Sequence, residues 1–459
     1  MKSVPQPSNQ EQGLPQVHAA MEAVLTTYAD QLAHPTGFLQ RRGNLSGSDY
    51  ARLWVLSWLK NPQIPLEEMA QFGKSLGIQI TSQGIHDRWS RQAAAFMKAL
   101  FEVALTQVVL ADPVAVPLLA RFGAVVLEDS TQIHLLDELL EFFEASGNVK
   151  GRAAESGCKL HLRLDMLRGQ LQCSSLLNGL SADPKTPLAS LPQVERTLNI
   201  RDRGFFDLRR VKREQEEGHS SLTYYKSGVS LFDTQGEPLD LLLWLAESLQ
   251  SDRPLQCNVL VGSLRLPMRL MLSPLPEEQA RKRRAVLQRT AQKHSRAVDH
   301  RPFLLAGYDV LLTNAPADLL SLQEALVLLH LRWQIELLIK LWKQDGLLDE
   351  WRTNNPWRVL CEIYAKLIGV LIQHWVLVVG CWQEPHRSLR KAAKPVRDHA
   401  IMLAYAYAGD FSLEFVLGKI FTAMQVGSKL NPRKNHPNAS QCLFDPPAPF
   451  LPGPRKEAG

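Results

Sequence analysis

The six cysteines, at 158, 173, 257, 361, 381 and 442, include no CxxC pair. Isolated thiols do not make a zinc knuckle, and reduced thiols in a cytosol are the expectation. Long apolar runs are scarce too. "LIGVLIQHWVLVVGCW" at 367–382 is short for a membrane span and is broken by Gln373 and His374, so a buried helix is expected there. The N-terminal "MKSVPQPSNQEQGLPQ" is polar and lacks an apolar signal core. Neither sign of charge dominates: 52 basic residues stand against 46 acidic ones, for a net charge of +6. That balance permits a polyanionic partner without demanding one, so the local distribution of charge must decide. Together these absences lead to an expected soluble protein of the cytoplasm with no membrane association.

What is present is ordinary globular material, 45% hydrophobic and 21% charged, and 459 residues are enough for two to four domains. Residues 1–13 and the Pro-rich 431–459 are expected to be tails. Residues 14–120 have helical periodicity. "PLEEMAQFGKSLG" starts after Pro and ends at Gly, and "TSQGIHDRWSRQAAAFMKALFEVAL" follows as a second helix capped near Ser82. A helix, a glycine turn and a helix carrying Gln83, His86, Arg88 and Arg91 are compatible with a helix-turn-helix, and equally with a plain helical hairpin.

From 121 the pattern turns to strands. "GAVVLEDST" is an apolar run ending in acid, and "CKLHLRLDM" with "GQLQCSSLLNG" forms an expected hairpin beside it. A helix near 188–196 leads to the short strand of "TLNIRDRGFFDLRRV", and "SSLTYYKSG" supplies a fifth strand. Residues 121–228 thus form the first part of a mixed α/β core. Residues 229–312 are a β-rich insertion with one basic helix, and 313–430 are helices.

Two acids stand where buried strands are expected to end, Asp129 in "LEDST" and Asp202 in "IRDRG". A strand end holds a carboxylate rigidly at the surface, although aspartates also serve as caps and turn residues. Glu128, beside Asp129, is expected on the opposite face of the strand and solvated. In "HLRWQIELLIKLWK", Arg332, Glu336, Lys340 and Lys343 are spaced by four, four and three residues, which places them on one face of a helix. Surface ion pairs would account for that spacing alone. Leu, Trp and Ile crowd the positions between, so the helix is expected to be buried on most sides. A polar stripe kept at such desolvation cost is suited to a ligand or metal.

"VVLEDSTQIHL", "KLHLRLDM", "IRDRGFFDL", "LLTNAP" and "LRWQIELLIKLWK", in that order, resemble the DDE transposases of bacterial insertion sequences, nearest to the insertion-sequence-4 group. The resemblance runs from about 35 to 425. That group's Tyr-Arg-Glu-Lys signature falls on Arg332, Glu336 and Lys343, with Leu329 where the tyrosine would stand. The resemblance implies a ribonuclease-H-like catalytic core interrupted by a mainly β insertion, with an N-terminal helical DNA-binding domain and C-terminal helices. It places the catalytic, metal-binding triad on Asp129, Asp202 and Glu336. It also implies two Mg²⁺ ions, for which Mn²⁺ could substitute, double-stranded DNA at element ends and target, a homodimer synapsing two ends, and association with the nucleoid when bound to DNA.

Three hard carboxylates suit Mg²⁺, which needs no His or Cys. Paired ions about 3.5–4 Å apart serve in-line phosphodiester transfer. Arg332, Lys343 and Lys340 are the expected phosphate contacts beside them. Further DNA contacts are expected from Arg88 and Arg91, and from the basic helix "EEQARKRRAVLQRTAQKHSR" with Arg283 and Arg284. "DLRRVKR" with Arg209, Arg210, Lys212 and Arg213, and the cluster at 387–397, add to these. Ser130, Thr131, Thr313 and Asn314 are assigned to the support of strand ends. Trp244 and Trp342 are expected in the core, with base stacking as the alternative, and His134 and His161 are expected to be structural. Two rival readings remain open, a catalytically decayed DNA-binding relic and a host nuclease on the same core.

Overall fold

The computed structural model describes residues 9–41, 43–145, 155–250, 255–434 and 437–446. Its strands are β1 (Ala124–His134), β2 (Glu144–Ala145), β3 (Glu155–Asp165), β4 (Leu171–Cys173), β5 (Leu177–Asn178), β6 (Thr197–Arg201), β7 (Ser220–Tyr224), β8 (Leu231–Phe232), β9 (Gln256–Val261), β10 (Leu266–Pro274) and β11 (Tyr308–Thr313). The chain divides into two compact units that cut across its linear order. One comprises Met1–Ala115, Asp129–Leu188 and Gln334–Pro432. The other comprises Val116–Glu128, Ala189–Trp333 and Arg433–Gly459.

In the second unit β6 pairs in parallel with the first half of β1 and with β7. Parallel neighbours need a crossover, and the helix Leu208–Glu216 supplies it between β6 and β7. Asp207 caps that helix by accepting from the Arg209 and Arg210 amides. From β7 the sheet continues antiparallel through β11, β10, β9 and β8. The segment 229–312 is therefore not set apart from the sheet. Its Leu231, Val259, Val261, Leu270 and Leu272 share one core with Val211 of the crossover helix and Leu312 of β11.

In the first unit β3 lies beside β1 and carries β2, β4 and β5 along its length. Helices gather around the long apolar helix Pro356–Cys381, with Gly47–Lys60 and Arg91–Thr106 packed against it. Nearly all of that long helix is buried, as the interruption by Gln373 and His374 suggested; His374 is 1% exposed. His374 Nε2 donates to the Gly169 carbonyl at 2.8 Å, and Trp382 Nε1 donates to that of Met166 at 3.2 Å. Gly169 has φ +77° with the Trp382 ring against it, a position where a Cβ would be both strained and crowded.

Several local expectations are corrected. The helix expected from Ser82 onward is two: Thr81 caps Ser82–His86, the chain turns through Asp87–Trp89, and Ser90 caps Arg91–Thr106. Each cap draws the chain out of helical geometry, so two strong N-caps in one run make two helices. Residues 188–196 form no α-helix, only a 3₁₀ turn at Pro187–Ser190. The expected tails contain structure as well. Asn9–Glu22 is a helix, and Asn438 caps a short helix at Ala439–Phe444; residues 1–8 and 447–459 lie outside the described residues.

Candidate active site

Asp129 lies midway along β1, half-buried, where the apolar run Val125–Leu127 gives way to polar residues. Its Oδ1 accepts from the Ser130 amide at 2.8 Å. Ser130 Oγ donates to Asp183 at 2.8 Å, and Lys159 Nζ donates to the same carboxylate at 3.2 Å. Ser130 thus ties the middle of this strand to Asp183, where support of a strand end was expected. Asp202 directly follows β6 in extended backbone and precedes the 3₁₀ turn Arg203–Phe205. In the parallel register Glu128 is opposite Arg201, and each aspartate is the next residue after that pair.

The segment 330–343 is not one helix. Ser321 caps Leu322–Leu331, the chain turns at Arg332, and a second helix runs Trp333–Gln344 with the half-buried Glu336 in its first turn. Arg332 therefore sits at a helix junction rather than on a continuous stripe. Nor is the second helix buried on most sides: Trp333 and Leu337 are 57% and 45% exposed, and Lys340 is exposed on the same side. Lys343 fastens the helix to β1. Its Nζ donates to the Gln132 carbonyl at 2.7 Å and pairs with Asp349 at 3.1 Å. Leu329, at the tyrosine position, is 2% exposed within the preceding helix.

The expectation of a solvated Glu128 is overturned. Glu128, Arg201, Arg210 and Glu214 form a buried four-charge cluster, each 0–4% exposed. Arg201 Nε donates to Glu128 Oε2 at 2.7 Å and its Nη1 to Glu214 Oε2 at 2.7 Å. Arg210 bridges the same two carboxylates. Burial alone would raise the Glu214 carboxyl, but Arg201 and Arg210 hold it below the usual carboxylate range. Burial likewise opposes the Arg201 charge, and the two glutamates more than reverse this, raising its pKa. Arg210 thereby leaves the "DLRRVKR" cluster, in which Arg209, Lys212 and Arg213 remain exposed. The i, i+4 spacing of Arg210 and Glu214 was the available signal for this cluster.

The other expected phosphate contacts differ in their surroundings. Arg88 donates to the Gly84 carbonyl, and the exposed Arg91 lies over the Phe142 ring at 5.6 Å. Arg283 pairs with Asp309 at 2.8 Å, and Arg284 pairs with Glu277 at 3.3 Å. Arg281, Arg289, Lys293 and Arg296 of the same region are exposed. In the 387–397 cluster Arg390 and Arg397 both reach Asp345. Asn314 supports a strand end as expected, accepting from the Ser221 amide at 2.6 Å and donating to the His219 carbonyl at 3.1 Å. Trp342 is buried. Among the described residues no three His, Cys, Asp or Glu side chains are gathered closely enough to hold a metal ion.

The protein is thus a mixed α/β chain with candidate carboxylates at a strand end, within a strand and on a helix. The family description "Transposase DDE domain" matches residues 122–372, more than half of the chain, and the chain belongs to that family of DNA-cleaving and strand-transferring enzymes. Its function is DNA transposition. It is 24% identical over 466 residues to the transposase for insertion sequence element IS231F of Bacillus thuringiensis subsp. israelensis, covering 95% of this chain and 96% of that protein. It is 23% identical over 370 residues to the transposase for insertion sequence element IS1151 of Clostridium perfringens, covering 76% and 77%. A piggyBac transposase, solved as a synaptic complex with hairpin DNA, aligns with a TM-score of 0.47 at 10% identity, covering 88% of this chain and 84% of that one.

Proposed function

We propose that this transposase cuts and joins DNA at the ends of an insertion sequence of the insertion-sequence-4 group, with Asp129, Asp202 and Glu336 as its catalytic, metal-ligating carboxylates on a ribonuclease-H-like core. The observation that carries the reading is the register of β1 and β6: both aspartates directly follow the Glu128–Arg201 pair on adjacent parallel strands. The donor set fits Mg²⁺, with Mn²⁺ as a substitute, because all three groups are hard carboxylate oxygens. Like charges repel, which opposes the close approach of three ionised carboxylates where no cation is bound between them. Two bound ions would acidify the attacking oxygen and neutralise the leaving one.

The remaining roles belong to the chain itself. The Lys343 tie to Gln132 anchors the Glu336 helix on the strand that carries Asp129. Lys340 is exposed one turn beyond Glu336 and serves as a phosphate contact, with Arg332 before it at the helix junction. Duplex DNA is held further by the basic helix Glu277–Lys293 and by the helices between 65 and 95, which act as the DNA-binding region. The enzyme works in the cytoplasm as a homodimer on two element ends.

The test is Mg²⁺-dependent nicking of a duplex bearing the element ends. Asp129→Asn, Asp202→Asn and Glu336→Gln are each expected to abolish cleavage while binding to the same duplex survives. Wild-type-like cleavage by any one removes that residue from the site. No nicking by the native chain would favour a decayed relic, and equal cleavage of unrelated duplexes a host nuclease.

A further inference from the structure

Ser130 joins two sets of contacts that meet on β1. Its amide donates to Asp129 Oδ1 at 2.8 Å, and its hydroxyl donates to Asp183 Oδ1, also at 2.8 Å. Lys159 Nζ donates to that same Asp183 oxygen at 3.2 Å and to the Ser181 carbonyl at 2.7 Å. Lys159 lies on β3 opposite Leu177 of β5, and Asp183 opens the 3₁₀ turn Asp183–Lys185 that follows. All of these residues belong to the first unit.

The Asp183 carboxylate is not needed to shape its own loop. The Gly179 amide donates to the Gly157 carbonyl at 2.9 Å, the Ser181 amide to that of Asn178 at 2.9 Å, and the Lys185 amide to that of Ala182 at 3.0 Å. The Lys159 and Asp183 side chains are 15% and 29% exposed, and a partly exposed ion pair adds little to stability. Nor is Asp183 placed to share an ion with Asp129. Successive side chains leave a strand on opposite faces, so Ser130, with Asp183 beyond it, stands behind the face from which Asp129 projects. What the ion pair does achieve is to fix the Ser130 hydroxyl in one orientation, and with it the stretch of β1 whose amide holds Asp129. β1 pairs with β6 only as far as Glu128, so that ladder does not hold Ser130. A ligating carboxylate that is already oriented loses less freedom on binding an ion, and the groups behind metal ligands are commonly worth about ten- to a hundred-fold in affinity.

We propose that Asp183, charge-paired with Lys159, is a positioning residue for Asp129: acting through Ser130, it holds the Asp129 carboxylate in the orientation that takes up a divalent ion. The inference rests on the reading of Asp129 as a metal ligand and adds to it a chain of three side chains outside the carboxylate triad.

The test is Mn²⁺ binding to the full-length chain without DNA, followed by loss of the free-ion electron paramagnetic resonance signal. Asp129→Asn is the reference and is expected to lose the ion. Ser130→Ala and Asp183→Ala are each expected to weaken binding about ten-fold with the melting temperature preserved. The double variant should be no weaker than either single one, because both substitutions break the same chain of contacts. Ser130→Thr, which keeps the hydroxyl, should restore native affinity. On a duplex bearing the element ends, the two alanine variants should raise the Mg²⁺ concentration for half-maximal nicking by a similar factor, with a near-native rate at saturating Mg²⁺. Losses that add in the double variant, or a lowered melting temperature beside native Mn²⁺ affinity, would show a purely structural tie and overturn the proposal. Native affinity in Ser130→Ala, the milder substitution, would overturn it as well. Native affinity in Asp129→Asn would remove the metal-ligand reading, and the inference with it.

Discussion

Glu128 and Arg201 stand opposite each other on parallel strands and share a buried ion pair of 2.7 Å, and each is followed directly by a candidate catalytic aspartate. The pair, with Arg210 and Glu214, fixes the register of β1 against β6 just before the two carboxylates. A one-residue slip would turn Glu128 away from its arginines and bury it unpaired. Arg201→Met leaves two buried carboxylates short of a partner and is expected to cost about 3–5 kcal/mol, read as a lowered urea midpoint. Because Glu214 titrates below its unfolded value, the cluster's contribution is present above the usual carboxylate range and is lost as pH falls through the lower folded value. Loss of that acid step in the Arg201 variant is the second signature.

His374 gives a separate acid response. Burial lowers its pKa to about 4, only partly offset by its hydrogen bond to Gly169. The unfolded chain protonates this ring near pH 6.5 while the folded chain does not. Stability is therefore fully present above about pH 6.5, falls between there and about 4, and levels off below; the shift corresponds to about 3 kcal/mol. Urea midpoints measured across this window should show the slope in the native chain, and His374→Gln should flatten it.

The basic helix divides by surroundings. Arg281, Arg289 and Lys293 are exposed, whereas Arg283 is engaged with Asp309. Replacing the three exposed residues by Gln should weaken DNA binding. It should also reduce the slope of log affinity against log salt, by about 0.9 for each phosphate no longer neutralised. Arg283→Gln alone should change that slope less. Fluorescence anisotropy over a salt series measures both.

Strands with strong alternation or apolar runs were legible in the sequence: β3, β6, β7 and β11 fall where the patterns placed them, whereas β1 starts as expected but runs on to His134, so that Asp129 lies within the strand and not at its end. The long buried helix was legible because Gln373 and His374 interrupt an otherwise apolar run. The break at Arg332 was not, since spacing of charges cannot distinguish one helix from two that meet at a turn. The burial of Glu128 was hidden for a related reason. Its partners Arg201, Arg210 and Glu214 are remote in sequence, and a lone glutamate on a strand ordinarily faces water.

The most direct test of the central claim uses Fe²⁺ in place of Mg²⁺, with ascorbate and peroxide, to cut the polypeptide wherever the metal is held. The account predicts cuts beside Asp129, beside Asp202 and in the Glu336 helix, all suppressed by excess Mg²⁺ and all lost together in Asp202→Asn. Cuts confined to one of the three segments, or cuts that survive that substitution, would contradict a shared metal site.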